Sequence, residues 1–345
     1  MPHRFPIFSL SQRAAEQILE QCHNSDLFEL AQLSERAFSW VQNMPQSNAD
    51  VHVDLSSTSL VQMFFDHDRY LEWYFYGKRD ARRYELENME QKVVVKMDSA
   101  TSGESTELVF GKIAGRLKCS YCCSLNSTEH VIQFVEHICT LFNVPVSRLV
   151  INAPEFRHLE VIQSVGVLRE SREVTIWKGT ASHEEMRRIL ERFETRCLNI
   201  WCNTEPNFMF DGTISIRDFR VYAGNWFKGP MLLSVNNGRF VYLESYDITE
   251  EHLNMFLREW LNNTTGCGTI IDLWLNPERV REDIQPPKWD LDKIVQGLSS
   301  PDRVSRRRKT PKKRTFHRKI DGAFIDVRPW NNGGCSAIKL SQHRP

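Results

Sequence analysis

The chain has 345 residues, a length that predicts two domains, and 41% of the residues are hydrophobic, which is typical of a globular protein. Lysine and arginine together number 44, as do aspartate and glutamate, and this balance speaks against a uniformly basic nucleic-acid-binding protein. Nine cysteines at irregular positions, no basic and apolar leader and no apolar run of about 18 residues predict a reduced, intracellular protein of the cytoplasm, the nucleus or both.

Three short helices are predicted near the amino terminus, within residues 5–41. Ser11 opens the first helix, Ser25 and Asp26 cap the second, and Ser34 caps the third. Apolar residues at helical spacing are Ala14, Ala15, Ile18, Leu19 and Cys22, then Leu27, Leu30 and Ala31, then Ala37, Phe38 and Val41. Because a unit of roughly 40 residues rarely folds alone, this segment should pack on the rest of the chain or on another protein.

The next stretch, from Asn43 to Gly115, has no clear organisation. It contains short β-like runs at Val51–Leu55 and Val93–Lys96 and an aromatic cluster at Tyr70–Tyr76. We therefore treat residues 46–115 as a poorly defined connecting region.

From residue 116 onward, strand-like and helix-like patterns alternate. The strand-like runs are Arg148–Ile151, Glu173–Trp177, Cys197–Trp201, Phe219–Tyr222, Phe240–Leu243 and Ile270–Trp274, and the helical patterns are Val131–Leu141, Met186–Phe193 behind a capping box at Ser182–Glu185, and Leu253–Leu261 behind Thr249. Successive strands lie 21 to 30 residues apart, near the about 20 to 29 residues of a leucine-rich repeat. The pattern predicts an α/β (α+β) fold with a degenerate leucine-rich-repeat-like array, whose exposed sheet face is a binding surface. A non-repetitive α/β domain is the alternative.

Two separate segments resemble one known family. In the first, Leu10, Ile18-Leu19, Asp26-Leu27-Phe28-Glu29-Leu30 and Ser34-Glu35-Arg36-Ala37 resemble an F-box, with Ser11 where the family usually has proline. In the second, residues 196–275, with the Thr249–Trp260 segment as the specific part, resemble the type 2 F-box-associated domain, and Arg318-Lys319-Ile320-Asp321-Gly322-Ala323 resembles its usual ending. The chain is thus similar to nematode F-box proteins that carry this domain.

The resemblance and the periodicity together predict a domain organisation. The predicted parts are a small three-helix F-box at 4–45, the connecting region at 46–115, a repeat-like α/β region at 116–300 containing the F-box-associated domain at about 196–275, a basic exposed loop at 301–317 and C-terminal strands at 318–345.

The resemblance implies a non-catalytic substrate receptor of a cullin-RING ubiquitin ligase. The F-box would bind a small cullin adaptor protein and, through it, a cullin scaffold, while the C-terminal domain would bind a protein client. The adaptor-binding residues that it implies are Leu10, Ser11, Ile18, Leu19, Leu27 and Leu30. The alternative for this segment is an ordinary helical subdomain packed on its own chain.

Metal and catalytic sites find little support in the sequence. Cys119, Cys122, Cys123, His130 and His137 are zinc-ligand types, but no second Cys-x-x-Cys follows and the two histidines are about two helical turns apart. Phosphate-binding and nucleophile motifs are absent from the sequence. We therefore expect no bound metal, no cofactor and no intrinsic catalysis.

A basic run near the carboxyl terminus is the second feature of the sequence that points to a function. Residues 303–319 contain ten basic and no acidic residues, which leaves 34 basic against 44 acidic residues elsewhere. Charges this dense predict an exposed loop, which is either a solvated linker or a nuclear import signal. The residues of that signal are Arg306, Arg307, Arg308, Lys309, Lys312, Lys313 and Arg314. The alternative function is a nuclear nucleic-acid or chromatin-binding protein that uses this run, although the acidic balance elsewhere speaks against it.

Overall fold

The computed structural model describes most of the chain and divides it into two compact units. It describes residues 11–44, 49–56, 58–65, 69–76, 92–98, 105–114, 118–123, 127–222, 226–236, 238–245, 247–262, 272–276, 289–298, 314–317, 323–332 and 335–343. The first unit is Met1–Ser171 and the second is Arg172–Pro345, so the division falls inside the predicted 116–300 region.

The first unit opens with three short helices, α1 (Gln12–Leu19), α2 (Asn24–Ala31) and α3 (Glu35–Gln42). The predicted cap of α3 is confirmed, because the Ala37 amide donates to Ser34 Oγ at 3.2 Å. The predicted cap of α2 is wrong: the helix begins at Asn24 behind His23, so that Ser25 and Asp26 already lie in its first turn.

The sheet of the first unit is mixed. Its strands are β1 (Asp50–Leu55), β2 (Ser59–Phe65), β3 (Arg69–Phe75), β4 (Lys92–Asp98), β5 (Ser105–Ala114), β6 (Lys118–Cys123) and β7 (Val146–Asn152), in the order β7-β1-β2-β3-β6-β5-β4. The pairs β1–β7 and β3–β6 are parallel and the other pairs are antiparallel. The helices after β6 are α4 (Thr128–Phe142), a 3-10 helix (Ala153–His158), α5 (Leu159–Ser164) and α6 (Gly166–Arg169). The predicted strands at Val51–Leu55, Val93–Lys96 and Arg148–Ile151 are confirmed as β1, β4 and β7, and the predicted helix at Val131–Leu141 is confirmed as α4.

The N-terminal helices share the core of this first unit. The ring of Phe28 on α2 contacts the rings of Trp73, Tyr121 and Phe134, with centroid distances of 5.0 to 6.4 Å. Next to it, Glu29 forms an ion pair with Lys112 of β5. The segment therefore packs on its own chain through α2, as its small size requires.

The second unit is built on parallel strands. Its elements are β8 (Glu173–Trp177), β9 (Thr180–Ala181), α7 (His183–Arg192), β10 (Cys197–Ile200), β11 (Asn203–Thr204), β12 (Asp218–Val221), a 3-10 helix (Gly229–Ser234), β13 (Phe240–Glu244), α8 (Glu250–Asn262), β14 (Asp272–Asn276), α9 (Leu291–Ile294), β15 (Arg314–His317), β16 (Phe324–Asn332) and β17 (Cys335–His343). Strands β8, β10, β12, β13 and β14 are parallel neighbours in chain order, and β17, β16 and β15 follow antiparallel. The predicted α/β fold is therefore confirmed, and the predicted strands of this array are neighbours in the order in which they occur in the chain.

The helices of this array also begin where the sequence indicates. At α7, the Ser182 amide donates to Glu185 Oε2 at 2.7 Å and the Glu185 amide donates to Ser182 Oγ at 3.3 Å, which is a capping box. At α8, the His252 amide donates to Thr249 Oγ1 at 3.4 Å. The apolar stripe of α8 is buried at Leu253, Phe256, Leu257 and Trp260. Among the described residues, no helix combines the length and the apolarity needed to cross a lipid bilayer.

Candidate protein-binding face

Along the parallel strands of the second unit, buried apolar residues alternate with residues of the opposite face, which we call the outer face. The buried residues, each no more than 2% exposed, are Val174, Ile176, Leu198, Ile200, Phe219, Val221, Val241, Leu243, Leu273 and Leu275. Successive side chains of a strand point to opposite faces of a sheet. The residues between them therefore form the outer face, and the parallel register sets Asn199, Arg220, Tyr242 and Trp274 side by side across four strands.

Aromatic side chains form a row across the outer face, which we call the aromatic row: Trp177, Trp201, Tyr222 and Tyr242. Their ring centroids are 5.1 Å, 3.8 Å and 5.2 Å apart in that order, and Trp201 stacks on Tyr222 with the ring planes 7° apart. The two tryptophans keep 36% and 40% of their surface exposed. The Trp201 amide donates to the Ile176 carbonyl and the Tyr222 amide donates to the Ile200 carbonyl, both at 2.8 Å. The backbone hydrogen bonds between the strands therefore hold these two residues in place.

Polar groups flank the aromatic row. The Asn199 amide group donates to Glu173 Oε1 at 2.9 Å, and the Tyr242 hydroxyl donates to Glu244 Oε1 at 2.5 Å. Burial raises the pKa of Tyr222, while the neighbouring Arg220 guanidinium acts in the opposite direction. The Tyr222 hydroxyl is therefore protonated at neutral pH.

Cations lie over two rings at the same face. The Arg220 guanidinium is 5.2 Å from the Phe240 centroid, and the Lys339 ammonium of β17 is 4.3 Å from the Trp274 centroid. Such cation–π pairs hold long side chains in one conformation. The face thus presents ordered, amphipathic side chains of the types that dominate protein–protein contacts.

The outer face also carries one thiol. Its cysteine, Cys197, has a pKa raised chiefly by burial, so that the unreactive thiol predominates at neutral pH. Over the ranges that the structure describes, no three His, Cys, Asp or Glu side chains come together as a possible metal site. The residues that the sequence offered as zinc ligands lie on two elements. Cys122 and Cys123 are buried on β6, and His130 and His137 lie on α4. The side chain of Cys119 is outside the described residues.

The sequence-predicted adaptor residues are in different environments. Leu10 lies outside the described residues, and Ser11 is exposed at the start of α1 without a side-chain capping bond. Leu19 and Leu27 are 1% and 3% exposed, so they stabilise the helical segment and offer a partner almost no surface. Ile18 and Leu30 are half-buried, and they are the predicted adaptor residues whose apolar side chains are accessible to a partner among those that the structure describes.

Sequence reasoning missed one residue of this helical surface. Leu33, which follows α2, is 71% exposed, the highest value among the exposed large hydrophobic side chains of the described residues. Leu33 follows the apolar stripe of Leu27, Leu30 and Ala31 in the sequence. This position was the sequence feature that could have identified it as an exposed apolar residue.

The basic run is mostly outside the described residues, including Arg306, Arg307, Arg308, Lys309, Lys312 and Lys313. Arg314 begins β15 and forms an ion pair with Asp292 at 2.9 Å. Residues Arg314–His317, which the sequence assigned to the exposed loop, instead pair with β16, and Phe316 is buried.

Comparison with known proteins gives one distant relative. No family model matches the chain, and no solved structure matches it. The Skn-1 dependent zygotic transcript 15 protein of Caenorhabditis elegans is 23% identical over 224 residues. The match covers 62% of this chain and 64% of that protein, so that it spans less than two thirds of the relative's length. The chain is therefore similar to a nematode protein over more than half of its length.

Proposed function

We propose that this chain is a non-catalytic receptor subunit that joins a protein client to a cullin-RING ubiquitin ligase. In this proposal the N-terminal helices bind a small cullin adaptor protein, and the outer face of the second unit binds the client. The client is modified because it is held close to the ubiquitin-conjugating enzyme, and no side chain of this chain enters the reaction.

The observation that carries the proposal is the aromatic row. Its two tryptophans are exposed, its two tyrosines are half-buried, and the Trp201 ring stacks on the Tyr222 ring. Large aromatic rings are costly to expose to water, and tryptophan and tyrosine are among the side chains that contribute most to protein interfaces. The adaptor half of the proposal draws on the F-box resemblance and on the accessible surface of Ile18, Leu30 and Leu33.

Co-purification with recombinant cullin adaptors tests the adaptor half. We expect Ile18→Glu with Leu30→Glu to weaken binding at least about tenfold, because buried charge at an apolar contact is costly. Val94 and Val109, which face each other across β4 and β5 and are 40% and 48% exposed, provide the matched control. Val94→Glu with Val109→Glu should bind as wild type, and failure of the folded wild type to bind any adaptor would contradict the proposal.

Quantitative capture of partners from a nematode lysate tests the client half. We expect a defined set of proteins to be lost with Trp201→Ala and Tyr222→Ala and retained with Met209→Ala. Met209 is also apolar and is 51% exposed in the second unit, so it controls for removal of exposed apolar surface. Identical partner sets for the three proteins would exclude the aromatic row as a client surface.

A further inference from the structure

An arginine stands directly before each of four neighbouring parallel strands. These residues, which we call the arginine row, are Arg172 before β8, Arg196 before β10, Arg217 before β12 and Arg239 before β13. They lie on adjacent strands, because the Cys197 amide donates to the Arg172 carbonyl at 3.0 Å and the Asp218 amide to the Arg196 carbonyl at 2.9 Å. All four side chains are exposed.

The spacing of the arginine row follows from the sheet. Adjacent strands lie about 4.8 Å apart, so that the four residues span about 14 Å along one edge. Within the described part of the second unit, none of the four side chains makes a hydrogen bond or an ion pair. Other arginines of the unit are paired: Arg187 with Asp211 at 2.9 Å, and Arg188 with Glu184 at 3.0 Å.

Stability does not account for the arginine row. Like charges on directly opposed strand residues are destabilising, and here four of them are in line. Glu173 and Asp218 follow Arg172 and Arg217 in the chain, but side chains alternate between faces, and the Glu173 carboxylate accepts a hydrogen bond from Asn199. A row of unpaired cations with a repulsive cost is typical of a site for an anionic partner.

We propose that the arginine row binds a short acidic segment of a partner protein, rich in aspartate and glutamate. Each guanidinium can take one carboxylate in a two-hydrogen-bond fork, and an extended peptide along the edge can offer several carboxylates within reach of such long side chains. A phosphate group favours cations that converge on one point, and nucleic acid favours a broad basic face. The arginine row has neither arrangement, because its cations follow one line. This edge is separate from the aromatic row, so the inference goes beyond the proposed function.

Fluorescence anisotropy with the purified full-length chain tests the proposal. The probe is a fluorescein-labelled peptide of about eight residues with alternating Glu and Ser, and its partner has Gln in place of Glu. We expect the Glu peptide alone to bind, and binding to weaken with added salt. Arg196→Gln with Arg217→Gln should reduce its affinity at least about tenfold. Arg187→Gln with Arg188→Gln removes the same charge from α7 and should leave the affinity within about twofold.

The outcomes distinguish an acidic-peptide site from a phosphate site, a nucleic-acid site and a purely structural role of the arginine row. Thermal melting of Arg196→Gln with Arg217→Gln should stay at or above the wild-type temperature, because removal of unpaired like charges relieves repulsion. Equal loss of affinity in both double variants, or no binding of the Glu peptide at low salt, would overturn the proposal. Tighter binding of a phosphopeptide or of a single-stranded oligonucleotide with equal charge would overturn it in favour of that ligand. None of these readouts involves a cullin adaptor or a client, so they are independent of the proposed function.

Discussion

Two tryptophans of the second unit have opposite roles that burial distinguishes. Trp260 on α8 is 0% exposed and belongs to the core, whereas Trp201 is 40% exposed and stacks on Tyr222. Burial of a large ring stabilises a fold, while an exposed stacked ring contributes little to folding and much to binding. The same residue type is therefore a fold determinant in one place and a contact candidate in the other.

We predict that Trp260→Ala lowers the free energy of unfolding by about 3 to 5 kcal/mol, because it leaves a cavity in the core. Trp201→Ala should lower it by about 1 kcal/mol, which is the size of a lost aromatic pair. Urea denaturation followed by circular dichroism measures both. A loss of more than about 3 kcal/mol for Trp201→Ala would mean that the aromatic row is structural.

Buried thiols give the fold a pH dependence at the alkaline end. Burial raises the pKa of Cys139 and of Cys202 from 9.0 to about 12, and that of Cys122 to about 11. In the unfolded chain these thiols ionise near their ordinary pKa, whereas in the folded chain they keep their protons. The unfolded state then binds fewer protons, so the free energy of unfolding falls as the pH rises above about 9.

We therefore predict that wild type loses stability between about pH 9 and about pH 11 more steeply than Cys139→Ala with Cys202→Ala. Urea denaturation at a series of pH values gives the two slopes, and comparison of the slopes cancels the titration of lysine and tyrosine. The same slope in both proteins would contradict the burial of these thiols.

At the scale of elements, the start of α8 is coupled to the 3-10 helix before β13. The Thr249 amide donates to His252 Nδ1 at 3.2 Å, and this fixes the imidazole at the first turn of α8. The ring lies directly over Gly229, where a Cβ would overlap its atoms. Glycine is required at 229 because the capping histidine occupies the space of a side chain.

We predict that Gly229→Ala destabilises the protein by about 1 to 3 kcal/mol through overpacking. In the His252→Ala background the same change should cost almost nothing, so that a double-mutant cycle gives a coupling of similar size. Gly166→Ala is the matched control, because a Cβ there meets only Glu170 Oε1 at 3.9 Å. An equal cost of Gly229→Ala in both backgrounds would contradict the contact.

The elements that the sequence predicted are those with regular periodicity and local caps. The predicted strands are β7, β8, β10, β12, β13 and β14, and the predicted helices are α4, α7 and α8. These elements have a repeating apolar pattern, and Ser34, Ser182 and Thr249 mark helix starts by side-chain chemistry. Between Asn43 and Gly115 the sequence indicated β1 and β4 but missed β2, β3 and β5. Strand β3 breaks the apolar alternation with a buried acid. Glu72 is 4% exposed and accepts hydrogen bonds from Gln62, Tyr74 and Ser120, which come from two other strands and its own.

The protein-binding face also could be predicted only in part from the sequence. The sequence placed the binding surface on the parallel array, but the members of the aromatic row are 20 to 24 residues apart and become neighbours only through the register. The arginine row depends on register in the same way. Pairing across strands is set by packing of the whole unit, so a single sequence gives the strands and leaves the cross-strand sets to the structure.

At the scale of the whole molecule, the proposed contacts are divided between the two units. The accessible residues of the helical segment, Ile18, Leu30 and Leu33, belong to Met1–Ser171, and the aromatic row and the arginine row belong to Arg172–Pro345. Substitutions in one set should therefore leave the contacts of the other set intact, since the effects of substitutions at sites without shared partners are usually additive.

Reconstitution with purified ligase components tests this division without a known client. If the chain docks on the adaptor, its own lysines are held near the ubiquitin-conjugating enzyme, and tethering raises their effective concentration. We predict that wild type becomes ubiquitinated in the presence of adaptor, cullin, RING subunit and conjugating enzyme, and that Ile18→Glu with Leu30→Glu abolishes this modification. Trp201→Ala with Tyr222→Ala should be modified at the wild-type rate, because the receptor proposal assigns the aromatic row to the client and not to the adaptor. Equal modification of all three proteins would show that transfer does not depend on docking of the N-terminal helices, and the receptor proposal would then fail.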